Sequence, residues 1–278
     1  GRAGVNDGIG SNARFYKPEG IATDGVYLYI ADTGNHVIRK IEIESGTVVT
    51  LAGKRGQAGY IDGTGTDARF KAPIGITILD SALYVADTDN HCIRRVDKNS
   101  GETITVAGAA STAGNTDGFG VSALFNFPFG ITNDGEFLYI ADTFNHTIRR
   151  VEIQTGEVIT LAGKAGEGGY TDGSLMDARF YYPSDLEVKG GELFIADIGN
   201  DVIRIIDLSQ GTVSTIAGTP RVSGAADGPV GIGKFDSPAD LAVIGDYIYV
   251  TDMNNNSIRS VNISTGEIAT MAGAPSYT

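Results

Sequence analysis

The three histidines of the chain recur at one spacing, and their side chains are of a type that binds metals. His36, His91 and His146 are 55 residues apart, and Asp201 and Asn256 continue the same series. Imidazole and carboxylate groups are ligands that zinc uses in proteins. Zinc holds its ligands at about 2.0–2.3 Å, however, whereas residues spaced one per repeat lie on separate turns. The pattern therefore favours turn residues, with the histidines as the weaker candidates for a metal.

A second group of residues stands out because it breaks the same repeat. The two positions that follow a recurring proline read Glu19-Gly20, Ile74-Gly75, Phe129-Gly130, Ser184-Asp185 and Ala239-Asp240. If Glu19, Asp185 and Asp240 meet at one end of a channel, the three carboxylates would repel one another, raise a pKa or bind a cation such as calcium. The sequence thus predicts a ligand or calcium site from these three, with Ile74 and Phe129 as its apolar side. The alternative is that Gly and Asp simply interchange at a permissive position.

Motifs for nucleophilic catalysis are absent from the sequence. It contains no Gly-x-Ser-x-Gly, no His-Glu-x-x-His, no P-loop and no dinucleotide fingerprint. The single cysteine, Cys92, follows His91 directly, and adjacent residues of a strand point to opposite faces. We therefore assign no catalytic residue, and the sequence favours a protein that is not an enzyme.

A repeat of 55 residues must position all of these side chains. Each of its seven marker residues occurs five times without insertion or deletion, as Asp7, Phe15, Pro18, Asp32, Asn35, Arg39 and Gly53 and their equivalents at steps of 55. The modules are 1–55, 56–110, 111–165, 166–220 and 221–275, within one domain, 1–278. A residue kept in all five modules serves the module itself. The repeated Asp is therefore expected to accept turn amides, and the repeated Arg to pair with carbonyls or carboxylates.

Each module contains four short runs that are typical of β-strands. In the first module they are 20–23, 27–31, 37–43 and 47–51, rich in β-branched and aromatic residues and bounded by Gly, Asp and Asn. Runs such as 27–30 are apolar on both strand faces, which indicates a sheet covered on both sides. Four antiparallel strands per module, repeated radially, predict an all-β β-propeller of five blades. A six-bladed ring with one module missing is the alternative.

Composition limits the partners. The formal net charge is −13 and the pI is about 4.6, without any basic run, which argues against nucleic acid and anionic membranes as partners. No stretch approaches 18 consecutive apolar residues, so membrane insertion is not expected. Protein partners and small-molecule ligands, cationic ones included, remain.

The repeat also resembles a known family. The strings 29–39 and 139–149 and the Pro-x-Gly-Ile lead-ins at Pro18, Pro73 and Pro128 are similar to NHL repeats. The resemblance implies a propeller fold, although NHL propellers commonly have six blades. Resemblance to secreted bacterial NHL arrays implies an extracellular or periplasmic protein, and the chain could be one domain of a larger one.

We therefore expect a non-catalytic binding or scaffolding propeller that presents loop-lined faces to a protein or small ligand. The alternative is a hydrolase or lyase dependent on calcium or zinc, with its site at the mouth of the central channel. That alternative comes from the resemblance, because related propellers include an amidating lyase and calcium-dependent lactonases.

Overall fold

The computed structural model describes residues 3–274, which form five antiparallel sheets, one per module. The first sheet contains β1 (Gly8–Ile9), β2 (Pro18–Thr23), β3 (Tyr27–Asp32), β4 (Val37–Glu42) and β5 (Thr47–Ala52). The second contains β6 (Gly63–Thr64), β7 (Pro73–Leu79), β8 (Ala82–Asp87), β9 (Cys92–Asp97) and β10 (Glu102–Ala107). The third contains β11 (Gly118–Phe119), β12 (Pro128–Asn133), β13 (Phe137–Asp142), β14 (Thr147–Glu152) and β15 (Glu157–Gly163).

The last two sheets continue the pattern. The fourth contains β16 (Gly173–Ser174), β17 (Pro183–Lys189), β18 (Glu192–Asp197), β19 (Val202–Asp207) and β20 (Thr212–Gly218). The fifth contains β21 (Pro238–Ile244), β22 (Tyr247–Asp252), β23 (Ser257–Asn262) and β24 (Ile268–Ala272). The fold is an all-β β-propeller of five blades, as the sequence predicted.

Four of the blades carry a fifth strand that the sequence did not predict. It is two residues long, begins at the Gly of the Asp-Gly pair, and pairs with the last long strand, as Gly8 does with Val48. Two residues are too few for an alternating pattern to show. In the fifth blade the same region makes a single bridge, between Gly228 and Ile268.

Seven 3₁₀ turns lie within the described residues 3–274. They are Gly10–Asn12, Thr33–Asn35, Gly65–Asp67, Thr88–Asn90, Gly120–Ser122, Thr143–Asn145 and Ile198–Asn200. Those that join the second and third long strands end on a residue in the left-handed region, such as His36 with φ 59°. No helix in this part of the chain is long and apolar enough to cross a membrane.

The repeated Asp, Asn and Arg form one buried network in each blade. Asp32 is fully buried, and its Oδ2 accepts bonds from Asn35 Nδ2 and Arg39 NH1, both at 2.8 Å. Its Oδ1 accepts the N–H of Tyr16, 16 residues upstream, at 2.8 Å, whereas the sequence had suggested a turn amide. The second guanidinium nitrogen of Arg39 binds Asp7 at 3.0 Å. The network thus ties the incoming loop to the second and third long strands.

Neighbouring blades also pack through a recurring aromatic plug. Phe70 is completely buried, and a Cβ atom on Gly53 of the preceding module would lie 3.1 Å from its ring. Phe125 and Phe180 lie against Gly108 and Gly163 in the same way. The first long strands of neighbouring blades also contact each other, as β7 does with β2 and with β12, and β17 with β21.

Internal contacts divide the chain into two compact units. One comprises Gly1–Leu138 with Val151–Ile159, and the other Tyr139–Arg150 with Thr160–Thr278. The first two blades belong to the former and the last two to the latter. The last residue of the fifth module, 275, and the three residues that run into a sixth period, 276–278, lie outside the described residues.

Candidate functional site

The histidine series forms hydrogen bonds between blades. His36 Nδ1 accepts the backbone N–H of Ala72, in the next module, at 3.1 Å. The equivalent pairs are His91 with Phe127 and His146 with Tyr182, both at 3.1 Å, and Asp201 Oδ1 with Ser237 at 3.0 Å. We call this contact the seam clasp.

The donors of the seam clasp share an unusual backbone conformation. Each precedes the repeated proline and has a positive φ, for example 48° at Ala72 and 54° at Tyr182. An Nδ1 that accepts a hydrogen bond requires a neutral imidazole and leaves only Nε2 for a metal. Burial lowers the pKa of His36, His91 and His146, in keeping with neutral rings.

The seam between the third and fourth modules carries a cluster of aromatic side chains, which we call the aromatic patch. It consists of Phe144, His146, Tyr181 and Tyr182. The His146 and Tyr182 ring centroids are 4.5 Å apart, those of Tyr181 and Tyr182 4.7 Å, and those of Phe144 and Tyr182 5.3 Å. Such distances are typical of stabilising ring pairs. Phe144 is 44% exposed and Tyr181 40%.

Two glycines make room for these rings. A Cβ atom on Gly168 would lie 2.7 Å from Tyr181 Cδ2 and 3.0 Å from His146 Nε2, and one on Gly199 would collide with the Tyr181 ring. The equivalents of Gly168 in the first three modules are Ala3, Ala58 and Ala113. The loop is therefore adapted locally to the aromatic side chains.

The aromatic patch breaks the repeat, yet sequence reasoning missed it. The second module has Asp89, Lys71 and Ala72 at the positions of Phe144, Tyr181 and Tyr182, and the fifth has Asn254, Asp236 and Ser237. A position-by-position comparison of the loops before the repeated prolines would have found it.

Ion pairs lie beside the aromatic patch. Glu167, next to Gly168, binds Lys164 at 2.5 Å and Arg179 at 3.1 Å. Both contacts lower the pKa of Glu167, with the Lys164 hydrogen bond as the larger cause. Positive and negative charges are thus paired at this edge.

The acidic residues predicted from the sequence meet in part. Asp185 lies on β17 and Asp240 on β21, first long strands of neighbouring blades that contact each other. Burial, with the hydrogen bond and charge of Asp240, raises the pKa of Asp185 well above its ordinary value. Burial and Asp240 also raise the pKa of Glu187.

Asp185 has a second, structural contact. Its Oδ2 accepts the N–H of Leu241, in the next blade, at 3.1 Å. The carboxylate therefore bridges two blades, in addition to any role toward a ligand.

The remaining predicted residues lie on the corresponding first long strands. Glu19 is exposed on β2, and partial burial raises its pKa against the opposing effect of Lys17. Ile74 on β7 and Phe129 on β12 are half-buried. One part of the expectation stays a prediction. It is that Glu19 lies with Asp185 and Asp240, on the side opposite Ile74 and Phe129.

Gly and Asp are not interchangeable at the position that varies. A Cβ atom on Gly20 would collide with the carbonyl oxygen of Ile74, and one on Gly75 with that of Phe129. The paired length differs as well, because regular pairing after the proline begins at Asp185 in the fourth blade but only at Ile21, one position later in the repeat, in the first. A permissive position is therefore the wrong interpretation.

The described residues 3–274 contain no preformed metal-binding site. No three His, Cys, Asp or Glu side chains in this part of the chain are placed to hold one ion. Cys92 is buried, and burial raises the pKa of its thiol well above the ordinary value, which makes the reactive thiolate scarce.

Comparison with known proteins agrees with the repeat. The model of the LVIVD repeat matches residues 17–38, 182–219 and 237–264. The chain is 29% identical over 290 residues to the protein SUPPRESSOR OF QUENCHING 1, chloroplastic, of Arabidopsis thaliana, which covers 78% of the chain and 27% of that protein. It is 28% identical over 301 residues to NHL repeat-containing protein 2 of Bos taurus, which covers 96% of the chain and 42% of that protein. The chain thus spans less than half the length of these relatives.

Solved structures show the same fold at low identity. An auxiliary nutrient binding protein of Bacteroides thetaiotaomicron superposes with a TM-score of 0.61 at 18% identity, covering 98% of this chain and 73% of that one. The five in-phase copies of the repeat and these matches support an NHL-repeat propeller family for the chain.

Proposed function

We propose that the protein is a non-catalytic binding module whose ligand contacts the aromatic patch. The observation that carries this proposal is the gathering of Phe144, His146, Tyr181 and Tyr182 at one seam. Single aromatic residues occur at the equivalent positions elsewhere, as Tyr16 and Phe127, but no other module has an aromatic residue at the position of Phe144. A site for one ligand must differ from the repeat around it, and this seam differs by combining aromatic side chains at four positions.

The aromatic patch has the physical properties of a recognition surface. Tyr and Phe offer large contact areas and lose little side-chain entropy on binding. The Tyr182 backbone is fixed by the seam clasp to His146, so its ring is held in place before a ligand arrives. With a net charge of −13, the chain favours neutral or cationic ligands, either small molecules or protein segments.

A variant copied from the second module tests the proposal. Phe144→Asp, Tyr181→Lys and Tyr182→Ala together install the residues found at 89, 71 and 72, so the seam clasp and the fold are retained. Tyrosine fluorescence, readable because the chain has no Trp, is followed during titration with maltose oligomers, cellulose oligomers and a basic proline-rich peptide. We expect a saturable change with at least one probe, and its loss in the triple variant.

The matched control is Tyr247→Ala. Tyr247 is 43% exposed, as Tyr181 nearly is, but lies on β22 outside the aromatic patch. Its substitution is expected to leave binding unchanged. Equal binding by the triple variant and the parent, or no response to any probe, would contradict the proposal.

The second candidate function uses the Asp185–Asp240 pair. A carboxyl group with a raised pKa beside an exposed carboxylate can act as a general acid, and calcium is the cofactor that carboxylates would favour. Calorimetric titration with calcium tests this function on the parent and on Asp240→Asn. One equivalent bound by the parent and lost in the variant would favour a metal-dependent hydrolase or lyase over the binding module.

An extracellular or periplasmic location belongs to the same proposal and rests on the resemblance to secreted NHL arrays. Cell fractionation of the source organism with an antibody against the chain tests it.

A further inference from the structure

One arginine stands at a backbone position that the repeat otherwise gives to small residues. Arg221 has φ 58°, and its equivalents Gly56, Ser111 and Gly166 have φ from 61° to 76°. The N–H of Arg221 donates to the carbonyl oxygen of Asn200 at 2.8 Å, and the equivalent N–H groups make the same bond at 2.8–3.2 Å, so the turn itself is unchanged. A bulky side chain in the left-handed region raises the energy of the folded state. The reason for this arginine therefore lies outside the turn.

The Arg221 side chain lies at the edge of the aromatic patch. Its Nε donates to the side-chain oxygen of Asn200 at 3.3 Å. A Cβ atom on Gly169 would lie 3.8 Å from its NH2, and Gly169 directly follows Gly168, which borders the Tyr181 ring. In the described part of the chain, Arg221 makes no ion pair and no other side-chain hydrogen bond. The guanidinium thus keeps donors for a ligand.

The charges beside the aromatic patch are mostly positive, opposite to the charge of the chain as a whole. Lys164, Arg179 and Arg221 are set against the single carboxylate of Glu167, which the first two bind. At physiological salt, charges are screened over about 8 Å, so nearby side chains outweigh the net charge of −13 at this edge. An anionic group of a ligand is therefore attracted here.

Asp201 is the acidic residue next in sequence to Asn200, and its carboxylate is engaged elsewhere. Its oxygens accept the Ser223 hydroxyl at 2.9 Å and the Ser237 N–H at 3.0 Å. Within the residues that the structure describes, no ion pair joins Asp201 to Arg221. The Arg221 guanidinium therefore stays available.

The aromatic patch also offers hydrogen-bond donors between its rings. The hydroxyls of Tyr181 and Tyr182 have no partner among residues 3–274. His146 accepts the Tyr182 N–H through Nδ1, so the hydrogen of the neutral ring is on Nε2. A sugar ring combines an apolar face of C–H groups with a rim of hydroxyls, and the carboxylate of an acidic sugar matches the planar fork of a guanidinium.

On the basis of the proposed function, on which this step rests, we propose that the ligand of the aromatic patch is an acidic sugar, an oligosaccharide of uronic acid. The rings of Phe144 and Tyr181 contact the apolar face of the sugar. The Tyr182 hydroxyl and His146 Nε2 donate to its hydroxyls, and Arg221 binds its carboxylate. The ligand is thus narrowed in a direction that the net charge of the chain does not indicate.

A matched pair of sugars tests the preference for an acid. Cellotriose is neutral, and the corresponding trimer of glucuronic acid differs only in carrying a carboxylate in place of each primary alcohol. Calorimetric titration of the full chain at about 0.15 M NaCl measures both Kd values. Because bonds to a guanidinium fork are strong but this site is exposed, we expect the acidic trimer to bind about fivefold more tightly.

A variant copied from the repeat tests the role of the arginine. Arg221→Gly installs the residue found at Gly56 and Gly166, and it should not lower the thermal midpoint, because Gly adopts a positive φ without strain. This variant should bind both trimers equally, with the affinity that the parent has for cellotriose. Arg221→Lys keeps the charge without the fork and should keep only part of the preference.

The matched control is Lys189→Gln, which also removes one positive charge. Lys189 is exposed at the end of β17 opposite to the aromatic patch, so its substitution should leave the full preference. A preference that survives Arg221→Gly, or is lost equally in Lys189→Gln, would overturn the role of Arg221.

The outcomes also separate this proposal from the binding module itself. Binding of cellotriose without preference for the acidic trimer would overturn the acidic ligand and leave the binding module standing. Binding of the basic proline-rich peptide alone would exclude the sugar and again leave the module. No binding of any of these probes would overturn both.

Discussion

At each described seam a side-chain acceptor in one module binds a backbone N–H in the next. This explains why imidazole, carboxylate and amide groups can replace one another in the series His36, His91, His146, Asp201 and Asn256, since all carry an acceptor and stand at positive φ. Sequence reasoning predicted turn residues here but not their bond. The donor is a backbone group 36 residues downstream, and a backbone donor leaves no mark in the sequence.

The histidines should make stability depend on pH. The pKa values of the three histidines are lower in the folded protein than in the unfolded chain, where they are about 6.5. As the pH falls, the unfolded chain is therefore protonated first, and protonation favours unfolding. The stabilisation is present above that pH and is lost on acidification. Between about pH 7.5 and about pH 5.5, we expect the free energy of unfolding to fall by about 1 kcal/mol more in the parent than in the triple variant His36→Asn/His91→Asn/His146→Asn. This figure is small because solvent screens the partly exposed imidazoles.

Urea unfolding at several pH values measures this difference. Asn is the residue that the fifth module has at this position, 256, and its side chain keeps an acceptor but does not titrate. The triple variant therefore removes the titration while keeping a hydrogen-bond acceptor at each seam. Parallel pH profiles of the parent and the variant would contradict the role of the imidazoles.

At the scale of the element, the first long strand of each blade is where sequence and structure differ most. The four long strands and their order were predictable, because alternation and turn residues are local signals. The two-residue strands were not predictable, nor was the one-position difference in where regular pairing begins in the first and fourth blades, because both depend on what the neighbouring strand presents. The carbonyl of Ile74, not local propensity, dictates Gly20.

The close approach between the first long strands of neighbouring blades can be tested by adding a single methyl group. Gly75→Ala places Cβ against the carbonyl oxygen of Phe129, so backbone must move, and we expect a loss of about 2–4 kcal/mol in the free energy of unfolding. Gly59→Ala is the matched control, because its Cβ would lie 3.3 Å from the flexible side chain of Arg69. Urea denaturation measures the free energy of unfolding of both variants. Equal losses would show that the contact with the Phe129 carbonyl oxygen does not determine the effect of the substitution.

At the scale of the molecule, five modules in unbroken register made the propeller predictable, whereas the aromatic patch was not. The fold depends on what the modules share, whereas the patch depends on Phe144, which has no aromatic equivalent, and on Tyr181 and Tyr182 occurring together in one module only. The acidic residues were noticed because they break the repeat, but the contact of Asp185 with Leu241 gives them a structural role too.

The excess of acidic over basic side chains should affect the stability of the molecule as a whole. With a net charge of −13, self-repulsion should destabilise the folded state at low ionic strength, and salt should relieve it. We expect the thermal midpoint to rise by a few degrees between about 0.01 M and about 0.1 M NaCl, where the screening length falls from about 30 Å to about 10 Å.

Calorimetry of the parent beside Glu44→Gln/Glu102→Gln/Glu136→Gln tests the cause. These three side chains are exposed, so their neutralisation should shrink the salt effect without touching the core. An unchanged salt dependence would assign it to something other than repulsion.

The seam clasp carries an evolutionary consequence. Because the clasp uses only the main chain of the donor, residues as different as Ala72, Phe127, Tyr182 and Ser237 make the same bond at 3.0–3.1 Å. A lineage can therefore shuffle modules by recombination, or invent a new recognition surface such as the one around Tyr182, while the framework beneath inherits no penalty.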